Sequence, residues 1–187
     1  MRTFIAIEIS EEIRNALAQI QSHLRYSGAD VKWVEKAKIH ITMKFLGEVS
    51  EEKIEKIKNI LDKIAKETKP FEITIRDIGA FPKIEYPRVI WAGIDKGADE
   101  LKELAQKIDD ALAEFGFEKE ARPFAAHLTI GRVRSPKNKQ VLKEKIESCR
   151  LSTFGCQLVK SVAIFQSALT AGGPLYTKLH EVKFTAV

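Results

Sequence analysis

One four-residue pattern, a histidine followed two positions later by a threonine inside an apolar run, occurs twice and constrains this chain more than any other feature. The two copies are His40-Ile41-Thr42-Met43 and His127-Leu128-Thr129-Ile130. Because side chains alternate between the two faces of a strand, each histidine shares one face with its threonine, and the apolar residues point the other way. Each copy therefore predicts a half-buried strand that places a hydroxyl beside an imidazole.

The elements predicted around the two copies follow the same order: strand, helix, histidine strand, helix, strand. Alternating apolar residues predict the strands, and stripes at three- and four-residue spacing predict the helices. A duplicated unit can pack about a pseudo-twofold axis, which would set the two polar strand faces opposite each other across a cleft. We expect one domain over 1–187, with repeat halves of about 1–86 and 87–187 joined through a proline-containing loop at 79–88. The predicted elements are strands 2–9, 39–46, 71–78, 89–94, 124–133, 158–169 and 176–184, and helices that begin after Ser10, after Ser50, near Leu101 and at Ser135-Pro136.

The composition is that of a globular protein with an anionic partner. Of the 187 residues, 44% are hydrophobic and 30% charged, and no apolar run approaches the roughly 20 residues of a membrane helix. The net charge of +5 favours nucleic acid or a phosphate ester as partner. Met1–Ser10 is interpreted as a first strand and not as a signal peptide, so a cytoplasmic protein is expected. The two cysteines, Cys149 and Cys156, are expected to be reduced thiols. The abundance of Lys, Glu and Ile resembles chains from heat-loving organisms. In such an organism, a disulfide between Cys149 and Cys156 is an alternative.

Three interpretations of the paired histidines compete. A single histidine in an apolar strand is most often a satisfied core residue, but the recurrence of the pair argues against this. A metal site needs further cysteine or carboxylate ligands, and neither strand supplies one beside its histidine, so no metal and no cofactor are expected. Two facing imidazoles do suit cleavage of a phosphodiester, because one neutral ring can accept a proton while one protonated ring donates. The hydroxyls of Thr42 and Thr129 would then bind the phosphate oxygens.

The two motifs, with their flanks Lys44-Phe45-Leu46-Gly47-Glu48 and Gly131-Arg132, resemble the paired His-x-Thr-x motifs of the 2H phosphoesterase superfamily. Within it the match is to the RNA 2',3'-cyclic phosphodiesterases, also called 2'-5' RNA ligases. The segments 2–7, 122–124 and 165–169 add to the resemblance.

The resemblance implies an α+β, bilobal protein with antiparallel sheets lining a central cleft and helices on the outside. It implies hydrolysis of a terminal 2',3'-cyclic phosphate of RNA to a 2'-phosphate, with His40 as proton donor and His127 as proton acceptor. It also implies a related 2'-5' ligation of RNA ends such as tRNA halves. The expected partner is RNA with a cyclic phosphate end, and the expected state is a monomer without membrane association.

Four further residues are weaker candidates. Lys44 shares the His40 face by strict alternation and is a candidate for phosphate binding. Arg132 matches an arginine of the family, but reaches the site only if a bulge at Gly131 redirects it. Phe4 and Trp91 could stack on a nucleobase, although core packing is the alternative role of both.

A rival hypothesis from another functional class is a non-catalytic, basic RNA-binding protein in RNA processing. It predicts salt-sensitive RNA binding that survives loss of both histidines. The cheapest discriminating observation is whether the two imidazoles lie within reach of one phosphate.

Overall fold

Four α-helices, one short 3-10 helix and nine strands make up residues 1–187 of the computed structural model. In chain order they are β1 Arg2–Glu8, α1 Glu11–Arg25, β2 Val31–Trp33, the 3-10 helix Lys36–Lys38, β3 His40–Glu48, α2 Glu51–Glu67, β4 Phe71–Lys83, β5 Tyr86–Ile94, α3 Ala98–Ala113, β6 His127–Val133, α4 Lys139–Ser148, β7 Thr153–Val159, β8 Ser161–Thr170 and β9 Gly173–Lys183. No helix is both long and apolar enough to cross a membrane.

The strands form two antiparallel sheets. The first sheet has the order β3-β1-β8-β9, and the second has the order β2-β6-β5-β4-β7. Both histidine strands lie at or next to a sheet edge: β3 is the edge of the first sheet, and β6 is separated from the edge of the second only by the three-residue β2. Because residues 34–39 connect β2 directly to β3, the edges that carry the two histidine motifs adjoin. The predicted α+β architecture with two antiparallel sheets is confirmed.

The helices cover the sheets with apolar stripes, and local sequence explains where two of them begin. Ser10 and Ser50 cap α1 and α2 by accepting hydrogen bonds from the backbone N–H three residues later, as predicted. One continuous core of 35 buried residues joins the helices to both sheets. A second, separate cluster lies on the other face of the first sheet and consists of Phe4, Ala6, Ala163 and Phe165.

The two sheets exchange strands between the predicted halves of the chain. β4 precedes residue 86 but pairs with β5 and β7 in the second sheet, whereas β8 pairs with β1 in the first. The prediction of a connecting loop at 79–88 is wrong, because these residues form the end of the β4–β5 hairpin. The two prolines that suggested a loop, Pro82 and Pro87, lie opposite each other there.

Three other element boundaries differ from the prediction. The predicted strand 158–169 is two strands, since β7 and β8 belong to different sheets. The fourth helix begins at Lys139, with Asn138 in the N-cap position, and not at Ser135-Pro136. The apolar spacing from Leu101 predicts that the third helix extends through Phe115, but Phe115 lies beyond the end of α3 and is exposed.

Candidate active site

Each histidine strand contains a β-bulge at the same position of its motif. In β3, Thr42 pairs with Ala6 and Lys44 with Ile5, so Met43 is the extra residue. In β6, Thr129 pairs with Trp91 and Gly131 with Ile90, so Ile130 is the extra residue. An extra residue reverses the alternation of the side chains that follow it. The two motifs are therefore similar in backbone as well as in sequence.

His40 is half-buried at the start of β3, and hydrogen bonds hold both of its ring nitrogens. Its Nδ1 lies 2.7 Å from the carbonyl oxygen of Lys38, and its Nε2 lies 2.9 Å from Oγ1 of Thr42. Because a carbonyl oxygen only accepts, Nδ1 carries a proton and donates it. Nε2 is thus the ring nitrogen at which His40 gains and loses a proton.

His127 is held in the same way in the second sheet. Its Nδ1 donates to the carbonyl oxygen of Ala125 at 2.6 Å, again two residues earlier in the chain. The ring of Phe81 lies edge-on to it, with centroids 5.1 Å apart. The neutral ring therefore exposes Nε2 as an acceptor, the form required of a general base.

The charge of His127 acts on His40. β3 and β6 lie in contact. Burial lowers the pKa of His40 below 6.5. The hydrogen bond that His40 donates to the carbonyl of Lys38 opposes this, and the positive charges of Arg14 and His127 lower the pKa further. The structure thus brings the His40, His127 and Thr42 predicted from the sequence to one region, with Thr129 at the equivalent position beside His127.

The structure contradicts the placement of Lys44 beside the phosphate. The bulge at Met43 turns Lys44 away from His40, and only 4% of the residue is exposed. Its Nζ lies 2.6 Å from Oδ1 of Asp109, 2.9 Å from the carbonyl oxygen of Glu118 and 3.4 Å from Oε1 of Glu120. Lys44 is therefore a buried structural cation that ties β3 to α3 and to the segment that leads to His127.

The same bulges turn Phe45 and Arg132 toward the face of the histidines. Strict alternation along β3 predicts Phe45 on the core face with Ile41 and Met43, but Phe45 is 65% exposed and its ring lies 6.2 Å from that of Phe4. Arg132 is exposed, and it pairs in register with Val89, on the Trp91 side of β5. A bulge of the kind that the sequence analysis required does exist, with Ile130 as the extra residue.

Phe4 supports His40 instead of offering a face to a base. It is only 4% exposed, because His40, Phe165 and Tyr176 surround it with ring centroids at 5.0, 5.4 and 4.9 Å. Tyr176 also lies edge-on to His40 at 5.6 Å. The structure therefore contradicts the stacking role considered for Phe4.

Trp91 lies on the same face of the second sheet as Thr129. It is half-buried, and its ring lies over two glycines that leave room for it: a Cβ on Gly79 would come within 2.3 Å of Cζ2, and one on Gly93 within 3.1 Å of Cζ3. Phe81 packs against it at 5.4 Å. A role for Trp91 in binding a base stays a prediction.

Several residues of this region were missed by the sequence analysis. Phe45, Phe165 and Tyr176 surround the His40 side, Phe81 lies beside His127, and Arg14 acts on His40 from α1. The bulges that reorient Phe45 have no sequence signal, whereas the aromatic residue in the 165–169 segment was noted without a role. The two cysteines are free, Cys149 buried and Cys156 exposed, and no cluster of three or more His, Cys, Asp and Glu side chains could hold a metal ion.

The chain is similar over almost its full length to proteins of known family. It is 41% identical to an RNA 2',3'-cyclic phosphodiesterase of Methanocaldococcus jannaschii over 97% of this chain and 99% of the relative. It is 36% identical to a protein of the same name from Methanothermobacter thermautotrophicus, over 96% of each.

Solved structures share the fold. A crystal structure of a Thermus thermophilus protein matches with a TM-score of 0.82 at 27% identity, and the structure of Escherichia coli LigT complexed with 3'-AMP matches with 0.76 at 26%, each covering 98% of both chains. The sequence model described as LigT like Phosphoesterase matches residues 7–91 and 93–176. The chain belongs to the LigT-like phosphoesterase family.

Proposed function

We propose that this protein is an RNA 2',3'-cyclic phosphodiesterase that opens a terminal cyclic phosphate to a 2'-phosphate without a metal ion. One observation carries the proposal: two half-buried imidazoles lie on strands that contact each other, and each is fixed through Nδ1 by a backbone carbonyl, which leaves Nε2 as the nitrogen for proton transfer. The names of relatives at 36–41% identity support the same reaction.

In the proposed reaction, Nε2 of His127 accepts a proton from water as the water oxygen forms a bond to phosphorus. The bond between phosphorus and O3' breaks, and Nε2–H of protonated His40 donates its proton to O3'. One proton is taken and one is given, so the products are a 2'-phosphate and a 3'-hydroxyl, and proton exchange with solvent restores both rings. Burial lowers the pKa of His40, which makes its imidazolium a stronger acid toward the leaving oxygen.

Thr42 and Thr129 are proposed to bind the non-bridging oxygens as charge builds up on the phosphate. Oγ1 of Thr42 lies 2.9 Å from Nε2 of His40, and we expect a phosphate oxygen to take the place of Nε2 as its partner. Arg132 is proposed to add positive charge from the same face of β6. Hydrogen-bond donors placed where charge develops typically contribute about 3–4 kcal/mol each to lowering the barrier.

Phe45 is proposed to be the surface on which the terminal base stacks, with Trp91 as a second contact. Phe45 is exposed beside the aromatic group that supports His40, whereas Phe4 is covered. The Escherichia coli relative has been solved in complex with 3'-AMP, which supports a nucleotide as the ligand.

The proposed partner is a cytoplasmic RNA that ends in a 2',3'-cyclic phosphate, tRNA halves included. If a 5'-hydroxyl of RNA replaces water, the same chemistry forms a 2'-5' linkage, so ligation is a second outcome of one site. The two outcomes are separated by the products: a 2'-phosphate end or a longer RNA.

The test is to incubate an RNA that ends in a 2',3'-cyclic phosphate with the enzyme in the presence of EDTA and identify the product end by mass and by sensitivity to phosphatase. His40→Ala and His127→Ala should each lower kcat by about 10²- to 10⁴-fold. The double variant should lose little more, because paired groups act as a unit.

The control is His23→Ala, which removes an exposed histidine of α1 that contacts Ser148. It should retain full activity. A rate that persists in either active-site variant would refute the proposed mechanism. RNA binding without turnover by the unaltered protein would favour the non-catalytic alternative.

A further inference from the structure

Arg14, which belongs to neither histidine motif, has an unsatisfied guanidinium group. Its Nε is buried and has no hydrogen-bond partner. Two carboxylates of this region are engaged elsewhere: Glu8 binds Lys178 at 2.7 Å and Glu11 binds Lys36 at 2.8 Å. A buried polar group without a partner is costly, and a buried cation without one more so. The guanidinium of Arg14 therefore carries a charge that neither of these carboxylates offsets.

The first turns of α1 lie against the segment that orients His40. α1 follows β1, whose last residue, Glu8, pairs in register with His40. Glu11 and Asn15, on either side of Arg14 in the helix, both bind Nζ of Lys36 in the 3-10 helix. The carbonyl of Lys38, two residues further on, holds Nδ1 of His40.

The same face of α1 also reaches the second motif. Gln21 lies seven residues after Arg14, hence on the same side of the helix. Its Nε2 donates to the carbonyls of Val34 and Ile130, both at 2.8 Å. Ile130 is the bulged residue of β6, and Val34 begins the connection to β3. Arg14 thus lies on the helix face that spans the junction of the two histidine strands.

We propose that Arg14 is a phosphate-binding residue of this active site, donating hydrogen bonds to a non-bridging oxygen of the phosphate held between His40 and His127. The inference rests on the proposed function for the identity of the substrate. A phosphate supplies the negative charge that the unpaired guanidinium lacks, and arginine matches phosphate oxygens with two parallel donors.

Binding at Arg14 also couples substrate to the proton on His40. The groups that face His40 are Arg14 from α1, His127 from β6, Tyr176 from β9 and Glu8 from β1, which is paired with Lys178. In the free protein the charge of Arg14 is among the causes that lower the pKa of His40. A bound phosphate offsets that charge, so His40 takes up a proton when the substrate arrives.

The test uses inorganic phosphate and follows the histidine C–H resonances by NMR, which requires no turnover. In the unaltered protein, phosphate should bind and raise the pKa of His40. Arg14→Gln should weaken phosphate binding by about 10- to 100-fold, as expected for a charged hydrogen bond, and should raise the pKa of His40 in the free protein. Arg14→Lys keeps the charge but loses the paired donors, so it should weaken phosphate binding while the pKa of His40 stays low.

The matched control is Arg150→Gln, which removes an exposed charge just beyond α4 and should change neither quantity. Phosphate affinity that is unchanged in both Arg14 variants would overturn the inference, even if cyclic phosphate is hydrolysed. Loss of phosphate binding in Arg14→Gln, with no hydrolysis by the unaltered protein, would support the binding role and refute the proposed reaction. Thermal unfolding of each variant separates both results from loss of the fold, and Arg14→Lys remains informative if Arg14→Gln does not fold.

Discussion

Lys44 and Asp109 form a buried ion pair whose removal should show how much of the fold depends on this link. Nζ and Oδ1 are 2.6 Å apart, and the side chains are 3% and 11% exposed. At an effective dielectric constant of about 20, two charges at this distance attract by about 6 kcal/mol. Removing two ions from water costs several kcal/mol for each, so the complete pair contributes little net stability, although neither partner tolerates loss of the other.

Lys44→Met should therefore destabilise the protein by about 3–5 kcal/mol, because Asp109 remains buried without a counter-charge. Lys44→Met combined with Asp109→Leu should recover most of that loss, since two apolar side chains replace the pair. Equilibrium unfolding in guanidinium chloride measures the free energies of the single and double variants, and the double-mutant cycle isolates the coupling.

Lys96 and Glu72 provide the control, since Nζ and Oε1 are 2.8 Å apart in a pair whose side chains are 65% and 49% exposed. Lys96→Met should lower the free energy of unfolding far less than Lys44→Met, because an exposed ion pair contributes little to stability. If Lys44→Met and Lys96→Met lower the free energy of unfolding by the same amount, burial does not explain the effect of losing Lys44, and the prediction is refuted.

Three further predictions concern the site. Because the pKa of His40 is lowered in the folded protein, the unfolded chain binds that proton first as the pH falls below 6.5. The free energy of unfolding should therefore decrease on acidification from pH 6.5 to the lowered pKa. Denaturant unfolding of His40→Asn should lack this part of the pH dependence. Gly79→Ala should lower the free energy of unfolding by about 1–3 kcal/mol and change tryptophan fluorescence, because the added Cβ would lie 2.3 Å from Trp91. Gly172→Ala should leave both quantities unchanged, because the nearest atom to its Cβ is 3.9 Å away. Phe45→Ala should raise KM for cyclic-phosphate RNA by an amount equivalent to about 1–3 kcal/mol, whereas Phe115→Ala, which removes an aromatic 52% exposed beyond α3, should not.

Local patterns predicted the elements of this fold well, because caps and periodicity act over a few residues. Ser10 and Ser50 cap helices as expected, and β3 begins within one residue of its predicted start, whereas β6 begins at His127 and not at residue 124. The failures are long-range. A bulge depends on the partner strand, so strict alternation assigns Lys44 and Phe45 to the wrong faces of β3. Lys44 is predicted on the site face but is buried, and Phe45 is predicted in the core but is exposed.

Two further features of the structure were not predicted: the hairpin at 79–88 and the role of Arg14. Pro82 and Pro87 were interpreted as breakers, yet they face each other where β4 and β5 turn, so neither interrupts the sheet. Arg14 had no motif to identify it, because the effect of its charge on His40 arises only when α1 packs against the second sheet and the 3-10 helix.

The exchange of strands between the sheets sets the order in which the site can assemble. The first sheet joins β1 and β3 to β8 and β9, whereas the second is complete once residue 159 has been made. A chain on the ribosome that ends before residue 161 can thus hold His127 in a five-stranded sheet, while His40 lies in a two-stranded ribbon, which is marginal in water. Contacts this distant in sequence also form slowly. The two-histidine site is therefore complete only after the final strands have joined the first sheet.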